Sequence, residues 1–175
     1  MIRIATAECF THGLVGKEIH ALSRGYPLDF GWRPDPALPC VSLVAALFIP
    51  TLSGVHHILG IRPVPPFEVI DDIKVYDQQG DEMMALKMAE AVREITQADI
   101  GIGTTAGIGK GGIAVVTTEI KLLTTSGIDA DLRSSPAGRI LERQAHGVKK
   151  TLHTLECLLM NRIPPECGED FLRLD

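Results

Sequence analysis

The chain has 175 residues, of which 45% are hydrophobic and 22% are charged, and its formal net charge is −5. This length suits one domain with its own core, and the composition is that of an ordinary soluble protein. The acidic balance and an aromatic content of only 5% argue against nucleic acid or an acidic membrane as the main partner. No apolar run reaches ~18 residues, and the start lacks the pattern of a signal peptide, so we expect a cytoplasmic protein without a membrane span.

The cysteines and histidines do not form a recognisable metal site. Four cysteines stand at positions 9, 40, 157 and 167 with no C-x-x-C pair, which fits reduced thiols better than a disulfide frame or a zinc site. His56 and His57 are adjacent and cannot share one helix face, and His146 and His153 are too far apart for one ion. We therefore expect no metal and no tightly bound cofactor.

Hydrophobic periodicity predicts the elements of the first third of the chain. Alternation over Ile2 to Ala7 predicts a strand, and the spacing of apolar residues over Leu14 to Arg24 predicts a helix. Four prolines make Tyr26 to Pro39 an irregular loop, of a length that is often functional. The nearly continuous apolar run Val41 to Ile49 predicts a buried strand, although a buried helix stays open at this point.

The middle of the chain combines helices with a strand. Pro50 can start a helix that runs through Leu59, and a second irregular link with three prolines covers Ile61 to Pro66. Met, Ala, Val and Ile residues at steps of three and four predict an amphipathic helix over Asp81 to Thr96. Ala98 to Thr104 then reads as a strand.

The last third predicts two further strands and the longest helix. Gly112 to Ile120 and Leu122 to Thr125 indicate a hairpin or meander, and Ser135 is the expected N-cap of the helix. The apolar stripe of that helix consists of Leu141, Ala145, Val148, Leu152, Leu155 and Leu159. We expect one α/β domain over residues 1–163, with a mixed sheet flanked by helices, and a peripheral tail over 164–175.

The first candidate site is the turn after the first strand, where Cys9 precedes a helix start. In open α/β sheets ligands bind at this edge, because the helix start offers unpaired N–H groups and a positive dipole. The same field stabilises a thiolate, the nucleophilic form of cysteine. The alternative is a cysteine that acts as a small buried hydrophobe.

Three neighbours complete this candidate catalytic group. Glu8 is either an acid or an anchor for backbone donors. Thr11 begins the turn amides that would stabilise an oxyanion, and these extend to Gly13. His12 either tunes the thiol or binds a phosphate, and the alternative is a solvated turn histidine.

The second candidate site is the glycine-rich segment Asp99 to Gly112, with the sequence DIGIGTTAGIGKGG. Glycines let backbone N–H groups approach an anion, and hydroxyl and ammonium groups can add donors. The segment is neither a P-loop nor a dinucleotide fingerprint, and a glycine-rich hairpin without ligand is the alternative. The predicted ligand-binding residues are Gly13, Gly103, Thr104, Thr105, Gly107, Gly109 and Lys110.

The motifs ATAECFTHG and GTTAGIGKGG resemble the archaeal HcgF-type family of iron-guanylylpyridinol cofactor biosynthesis over nearly the entire chain. The resemblance implies that Cys9 is a nucleophile. It would accept the carboxyl group of a guanylylpyridinol, previously activated as an adenylate, and form a thioester. An adenylating enzyme of the same pathway is then an implied partner.

A more distant likeness is to the nicotinamide-mononucleotide deamidase domain of competence-damage proteins, whose AESCTGG motif is similar to Ala7 to Gly13. Their glycine-containing loop is also similar to Asp99 to Gly109. The serine of that motif is Cys9 here and its cysteine is Phe10, which favours a thioester product. Both families handle a pyridine ring linked to a nucleotide, and the likeness implies a deamidase-like fold.

Three functions follow as hypotheses. The first is acyl transfer to Cys9, the second is a pyridine-nucleotide amidohydrolase, and the third is a non-catalytic nucleotide sensor or carrier in which Cys9 is structural. The apolar face of the longest helix also predicts a homodimer, with packing on its own sheet as the alternative. Outside the candidate sites, Tyr76, Asp77 and Arg143 are expected to be ordinary surface residues.

Overall fold

A six-stranded mixed sheet lies at the centre of the structure, with the order β10-β8-β7-β5-β1-β2. The computed structural model describes residues 1–162 and 171–174. The strands of the chain are β1 (Ile2–Glu8), β2 (Val41–Phe48), β3 (Glu68–Ile70), β4 (Ile73–Val75), β5 (Ile100–Thr105), β6 (Ile108–Gly109), β7 (Gly112–Val116), β8 (Lys121–Thr124), β9 (Ala130–Asp131) and β10 (Leu172–Leu174). The helices are α1 (Leu14–Arg24), α2 (Leu52–Ile58), α3 (Gln78–Thr96) and α4 (Ala137–Leu159).

The sheet changes from parallel to antiparallel along its width. β1 pairs in parallel with β2 and with β5, whereas the pairs β5–β7, β7–β8 and β8–β10 are antiparallel. The α/β class and the late antiparallel component are therefore confirmed. Because β1 and β5 are parallel neighbours, the segments that follow them leave the sheet at the same edge.

Side chains on the two faces of β1 belong to different layers of the core. Ile4 packs with α1 and α4 residues on one face, whereas Ala5 and Ala7 pack with α2 and α3 residues on the other. The small β1 side chains are matched by large ones on the helices, such as Met84 and Met88. The predicted single α/β arrangement of helices around a sheet is confirmed.

The predicted buried strand over Val41 to Ile49 is confirmed as a strand, but the prediction that it is buried is wrong. β2 is a strand, but it lies at an edge of the sheet, and among the described residues it pairs with β1 alone. Val44 is 40% exposed and Phe48 is 51% exposed, so this apolar run covers only one layer. Edge strands have no second neighbour, and their outer faces therefore remain open to other groups.

Two helix starts differ from the predicted ones. α2 begins at Leu52 and not at the predicted Pro50, and Thr51 is its N-cap, because the Thr51 side chain accepts a hydrogen bond from the N–H of Gly54 at 3.1 Å. The predicted cap Ser135 lies one residue before the N-cap of α4, and its hydroxyl accepts from the N–H of Asp131 at 2.9 Å. The Ser135 hydroxyl therefore binds the preceding loop and does not cap α4.

The apolar stripe of α4 packs mainly within its own domain. Val148, Leu152 and Leu155 are buried against the sheet, whereas Leu141 at the start of the stripe is 57% exposed. These contacts are the ones expected if the stripe packs on its own sheet. A homodimer stays a prediction. At the other end of the sheet, β10 lies in the predicted tail and pairs with β8. The sequence patterns did not indicate β10.

No helix in the described part of the chain is both long and apolar enough to cross a membrane.

Cys9 and Cys40 are free thiols, whereas Cys157 is disulfide-bonded, which contradicts the expectation that the thiols are all reduced. Cys167 lies outside the described residues. Among those residues, no group of three or more His, Cys, Asp or Glu side chains is arranged to hold a metal ion.

Candidate functional site

The Cys9 turn (residues 9–13) connects β1 to α1 and is anchored on both sides of the thiol. The N–H of Cys9 donates to the carbonyl of Thr104 at 2.9 Å, which ties the turn to β5. The ring of Phe10 is buried beside α4, where a Cβ at Gly147 would stand only 2.3 Å from Phe10 Cε2. Between these anchors the Cys9 side chain is half-buried, so the thiol is both held and accessible.

Glu8 is the internal cap of the Cys9 turn. Its carboxylate is fully buried and accepts hydrogen bonds from the hydroxyls of Thr6 and Thr11 at 2.9 and 2.7 Å. It also accepts from the N–H groups of Val15 and Gly16 at 3.1 and 2.8 Å. The N-cap residue of α1 is a glycine without a capping side chain, so Glu8 performs that function from the strand. Of the two roles predicted for Glu8, the geometry is that of the anchor.

Two threonine hydroxyls extend this network to the neighbouring strand. Thr11 Oγ1 donates to Glu8 and lies 2.7 Å from Thr104 Oγ1, and both threonines are fully buried. Thr104 Oγ1 in turn accepts from the N–H of Cys9 at 3.3 Å. Both hydroxyls therefore hold the turn in shape.

A cavity of about 280 Å³ lies beside the Cys9 turn, between the ends of β1 and β2 and the start of α4. Its wall is mostly apolar. It is formed by Cys9, Phe10, His12, Phe48, Pro50, Ile73, Ala106, Leu132, Ile140, Leu141, Arg143 and Gln144. A concave apolar site with a few polar groups beside a nucleophile is the usual form of a ligand site.

His12 stands at the mouth of the cavity in an unusual backbone conformation. Its φ is 52°, in the left-handed region that non-glycine residues seldom adopt, and Gly13 follows with φ 79°. The exposed His12 ring lies against the Phe48 ring with a centroid distance of 5.1 Å and an interplanar angle of 54°. Strained residues of this kind cluster at functional sites.

The Cys9 turn also contains hydrogen-bond donors that the protein does not use. Within residues 1–162 and 171–174, the N–H groups of Phe10, Thr11 and Gly13 make no hydrogen bond, whereas that of His12 donates to the Cys9 carbonyl at 3.1 Å. Three free donors at the start of α1 can stabilise negative charge that develops next to Cys9.

Arg143 lies in the cavity wall, although we expected it to be an ordinary surface residue, and that expectation is wrong. Its side chain is 1% exposed, and Nη1 donates to the carbonyls of Gly107, Gly109 and Ala130 at 3.1, 2.9 and 2.7 Å. Burial lowers the pKa of Arg143, and the negative charge of Asp81 opposes this change. The available signal was its place four residues before Gly147, on the buried side of α4.

Two further buried polar groups behind the Cys9 turn were missed. Asp81 accepts a hydrogen bond from the N–H of Gly107 at 2.7 Å, and burial raises the pKa of Asp81 to about 7. Tyr76 was also expected at the surface, but it is buried and donates from its hydroxyl to the Val64 carbonyl at 2.8 Å. Burial raises the pKa of Tyr76.

The glycine-rich turn (residues 106–112) owes its close contacts to the protein itself. A Cβ at Gly107 would stand 2.4 Å from the Tyr76 carbonyl oxygen, and one at Gly103, in the preceding strand, 2.0 Å from that of Ala85 in α3. Three N–H groups of the turn are also engaged: Gly107 donates to Asp81, Ile108 to the Tyr76 carbonyl at 2.8 Å, and Lys110 to Gln78 Oε1 at 2.7 Å. Glycine here permits a close approach of the α3 segment to the sheet.

The structure brings only part of the predicted site together. Cys9 and His12 line the cavity, and Glu8 and Thr11 support them from behind. None of the predicted ligand-binding residues lines this cavity, and their contact with a ligand stays a prediction: Gly13, Gly103, Thr104, Thr105, Gly107, Gly109 and Lys110.

These features define an α/β protein that presents a half-buried thiol between a strand end and a helix start. A family model described as "FeGP cofactor biosynthesis protein HcgF" matches residues 1–159. The chain belongs to this family, which is involved in FeGP cofactor biosynthesis. The resemblance predicted from the AECFTHG motif is thereby confirmed.

Curated relatives agree with this assignment. The chain is 55% identical over 159 residues to a UPF0254 protein of Methanothermobacter thermautotrophicus strain Delta H, an alignment that covers 91% of this chain and 99% of the relative. It is 48% identical over 172 residues to a UPF0254 protein of Methanocorpusculum labreanum, with 98% and 100% covered. The more distant likeness to the deamidase domain stays a prediction.

Proposed function

We propose that this protein accepts the activated carboxyl group of a guanylylpyridinol-type pyridine nucleotide as a thioester on Cys9. One observation carries the proposal: the half-buried Cys9 thiol lines an apolar cavity at the amino end of α1. Membership of a family involved in FeGP cofactor biosynthesis supports the choice of substrate. A thioester preserves the acyl group in a reactive form for a later step.

The proposed reaction is an acyl transfer from an adenylate to sulfur. The Cys9 thiolate attacks the acyl carbon, and the developing oxyanion accepts hydrogen bonds from the free N–H groups of the Cys9 turn. The carbon–sulfur bond forms while the bond from the acyl carbon to the phosphate oxygen breaks, and AMP leaves with the bonding electron pair. An adenylating enzyme of the same pathway would supply the mixed anhydride.

The side chains around Cys9 divide into positioning and proton-transfer roles. Glu8, Thr11 and Thr104 keep the turn rigid through buried hydrogen bonds, so the thiol and the N–H donors hold their relative geometry. His12 lines the same cavity and is assigned the role of accepting the thiol proton and passing it to solvent.

The size of the cavity suits a ring, not a whole dinucleotide. Its volume of about 280 Å³ is at the low end of ligand sites. We assign it to the pyridine ring and its acyl arm, so the guanosine part must extend over the surface. The exposed Lys110 in the glycine-rich turn remains a predicted phosphate contact. It is the best of these residues to mutate, because within the described residues its side chain makes no hydrogen bond.

The experiment presents the protein with adenylated guanylylpyridinol and follows intact mass. We expect the wild type to gain the acyl mass and to lose it again in hydroxylamine, which cleaves thioesters and leaves alkylated thiols intact. Cys9→Ser should bind the unactivated nucleotide with similar affinity and accumulate no thioester. The matched control is Cys40→Ser, which removes the other described free thiol and should acylate like the wild type.

The three hypotheses give different results in this experiment. Release of free acid without an adduct would favour the amidohydrolase, since water would then be the acceptor. Tight binding without any mass on Cys9 would favour the sensor or carrier. Either result would overturn the thioester proposal.

A further inference from the structure

Arg143 is a buried cation in the wall of the cavity that contains the thiol. Its side chain is 1% exposed, and no carboxylate among the described residues forms an ion pair with it. Nη1 is surrounded by three carbonyl oxygens, and Nη2 lies 3.4 Å from a fourth, that of Ala106. Nε is buried without a hydrogen-bond partner in the described structure.

A buried charge without a close counter-ion is costly, because its hydration is lost and carbonyl dipoles replace it only in part. Asp81 is the carboxylate that acts on Arg143 most strongly, but burial raises the pKa of Asp81 to about 7. Near neutral pH it is therefore ionised only in part. No described carboxylate lies within ion-pair distance of the guanidinium, so Arg143 has no close counter-ion in the protein.

Two further carboxylates, Asp129 and Asp131, attract Arg143 less strongly than Asp81 does, and Asp131 is paired with Arg133. The Glu8 carboxylate accepts hydrogen bonds from two hydroxyls and from two N–H groups at the positive end of α1, which stabilise its negative charge. Lys74 is 1% exposed and adds a second buried cation, whose Nζ donates to the Ile49 carbonyl at 2.8 Å beside the cavity residue Pro50. Arg143 is the one lining residue that is charged at every ordinary pH.

We propose that Arg143 makes the Cys9 cavity selective for negatively charged acyl compounds over neutral ones of the same size. This inference rests on the proposed function, because it takes Cys9 as the reacting group. An anionic group of the substrate, such as a carboxylate or the phosphate of an acyl adenylate, would supply the close counter-ion that Arg143 lacks. A neutral carboxamide would gain nothing from the guanidinium.

Two alkylating reagents that differ in charge test the selectivity without the natural substrate. Iodoacetate is anionic and iodoacetamide is neutral, and each forms a thioether with the thiolate while iodide leaves. The measured quantity is the ratio of their rates at each cysteine, read from peptide masses. Cys40 is the internal control, because it is an exposed free thiol just before β2, at the opposite end of the sheet from Cys9.

In the wild type we expect the ratio of iodoacetate to iodoacetamide rates to be at least about fivefold higher at Cys9 than at Cys40. Arg143→Lys keeps the charge and should keep most of this preference. Arg143→Met removes the charge at similar length and should bring the Cys9 ratio down to that of Cys40, whose own ratio stays constant.

Equal ratios at the two cysteines of the wild type would overturn the inference, and that comparison needs no variant to fold. An undiminished preference in folded Arg143→Met would also overturn it. Thioester formation without charge preference defeats only this inference. Charge preference at Cys9 without thioester formation defeats only the proposed function.

Discussion

The Cys9 turn and the glycine-rich turn follow neighbouring parallel strands at one edge of the sheet, yet they use their backbones differently. The Cys9 turn leaves the N–H groups of Phe10, Thr11 and Gly13 free within the described residues. In the glycine-rich turn, the N–H groups of Gly107, Ile108 and Lys110 donate instead to acceptors on or beside α3. Donors that are paired within the protein hold the chain in place, whereas free donors beside a thiol make a turn a candidate site.

This difference shows what a cluster of glycines can predict. Glycine indicates that something approaches the backbone closely, but it does not say what approaches. At Gly103 and Gly107 the approaching groups are carbonyls of α3 and of the residues just before it. At the Cys9 turn the informative signals are a thiol, a left-handed His12 and a glycine cap at one strand end.

The largest effect is expected at Gly103. A Cβ there would stand 2.0 Å from the Ala85 carbonyl oxygen, which belongs to the backbone of α3 and cannot swing away. Gly103→Ala should therefore lower the free energy of unfolding by about 3 kcal/mol, as measured by urea denaturation. The control is Gly138→Ala in α4, where a Cβ meets nothing within 4 Å and should raise stability slightly. Equal stabilities of the two variants would contradict the interpretation that these glycines permit the close approach of the α3 segment.

Glu8→Gln should affect both stability and reactivity. The amide keeps the size of the side chain but loses the charge, and its NH₂ group cannot accept from the hydroxyl and N–H donors that the carboxylate holds. We expect a loss of about 2 kcal/mol in the free energy of unfolding and slower alkylation of Cys9. Glu94→Gln, at an exposed position, is the control and should change neither. A Glu8 variant with wild-type stability would contradict the anchor role.

The raised pKa of Asp81, which binds the glycine-rich turn, predicts that the stability of the protein depends on pH. Its pKa is raised to about 7 in the folded state, so between pH 4 and 7 the unfolded chain binds fewer protons at this group than the folded one. The contribution of Asp81 to stability therefore falls as pH rises through this window. Asp81→Asn removes the titration, so its stability relative to the wild type should increase on the order of 2 kcal/mol from pH 4 to pH 7. A constant difference in parallel denaturation curves would refute this.

The smallest effect on stability is expected at His12. His12→Gly removes the cost of a left-handed residue but also the contact with Phe48, so the free energy of unfolding should change by less than about 0.5 kcal/mol. The rate of thioester formation should nevertheless fall at least about tenfold, because the proposed proton acceptor is lost. Asp71→Gly, at φ 48° in the exposed turn between β3 and β4, is the control with a wild-type rate. An unchanged rate in the His12 variant would remove His12 from the mechanism.

Much of the fold follows from periodicity, and the exceptions have physical causes. β1, α1 and most of α3 were predicted because their apolar residues repeat with the period of the element. The hairpin of β3 and β4 was missed, because its strands are only three residues long and its turn uses Asp71 and Asp72 at positive φ in place of a glycine. Position in the sheet decides burial, so the apolar run of β2 did not reveal an edge strand.

The candidate site was predictable only where chemistry and chain position coincide. Cys9, Glu8 and His12 are close in sequence, so one motif contains them all. Arg143 comes from α4, and its place four residues before Gly147 was a weak signal, because charged residues on a helix usually face water. The groups that approach Gly103 and Gly107 were invisible, because they belong to α3 and to its preceding loop.

The central claim is that the acyl group is transferred to Cys9, and peptide mapping after brief exposure to adenylated guanylylpyridinol tests it most directly. Trypsin separates the Cys9 peptide, residues 4–17, from the peptide that contains Cys40. We predict one acyl group per chain, located on residues 4–17 and released by hydroxylamine. An unmodified Cys9 peptide at every time point, or acyl groups distributed equally between Cys9 and Cys40, would contradict the account.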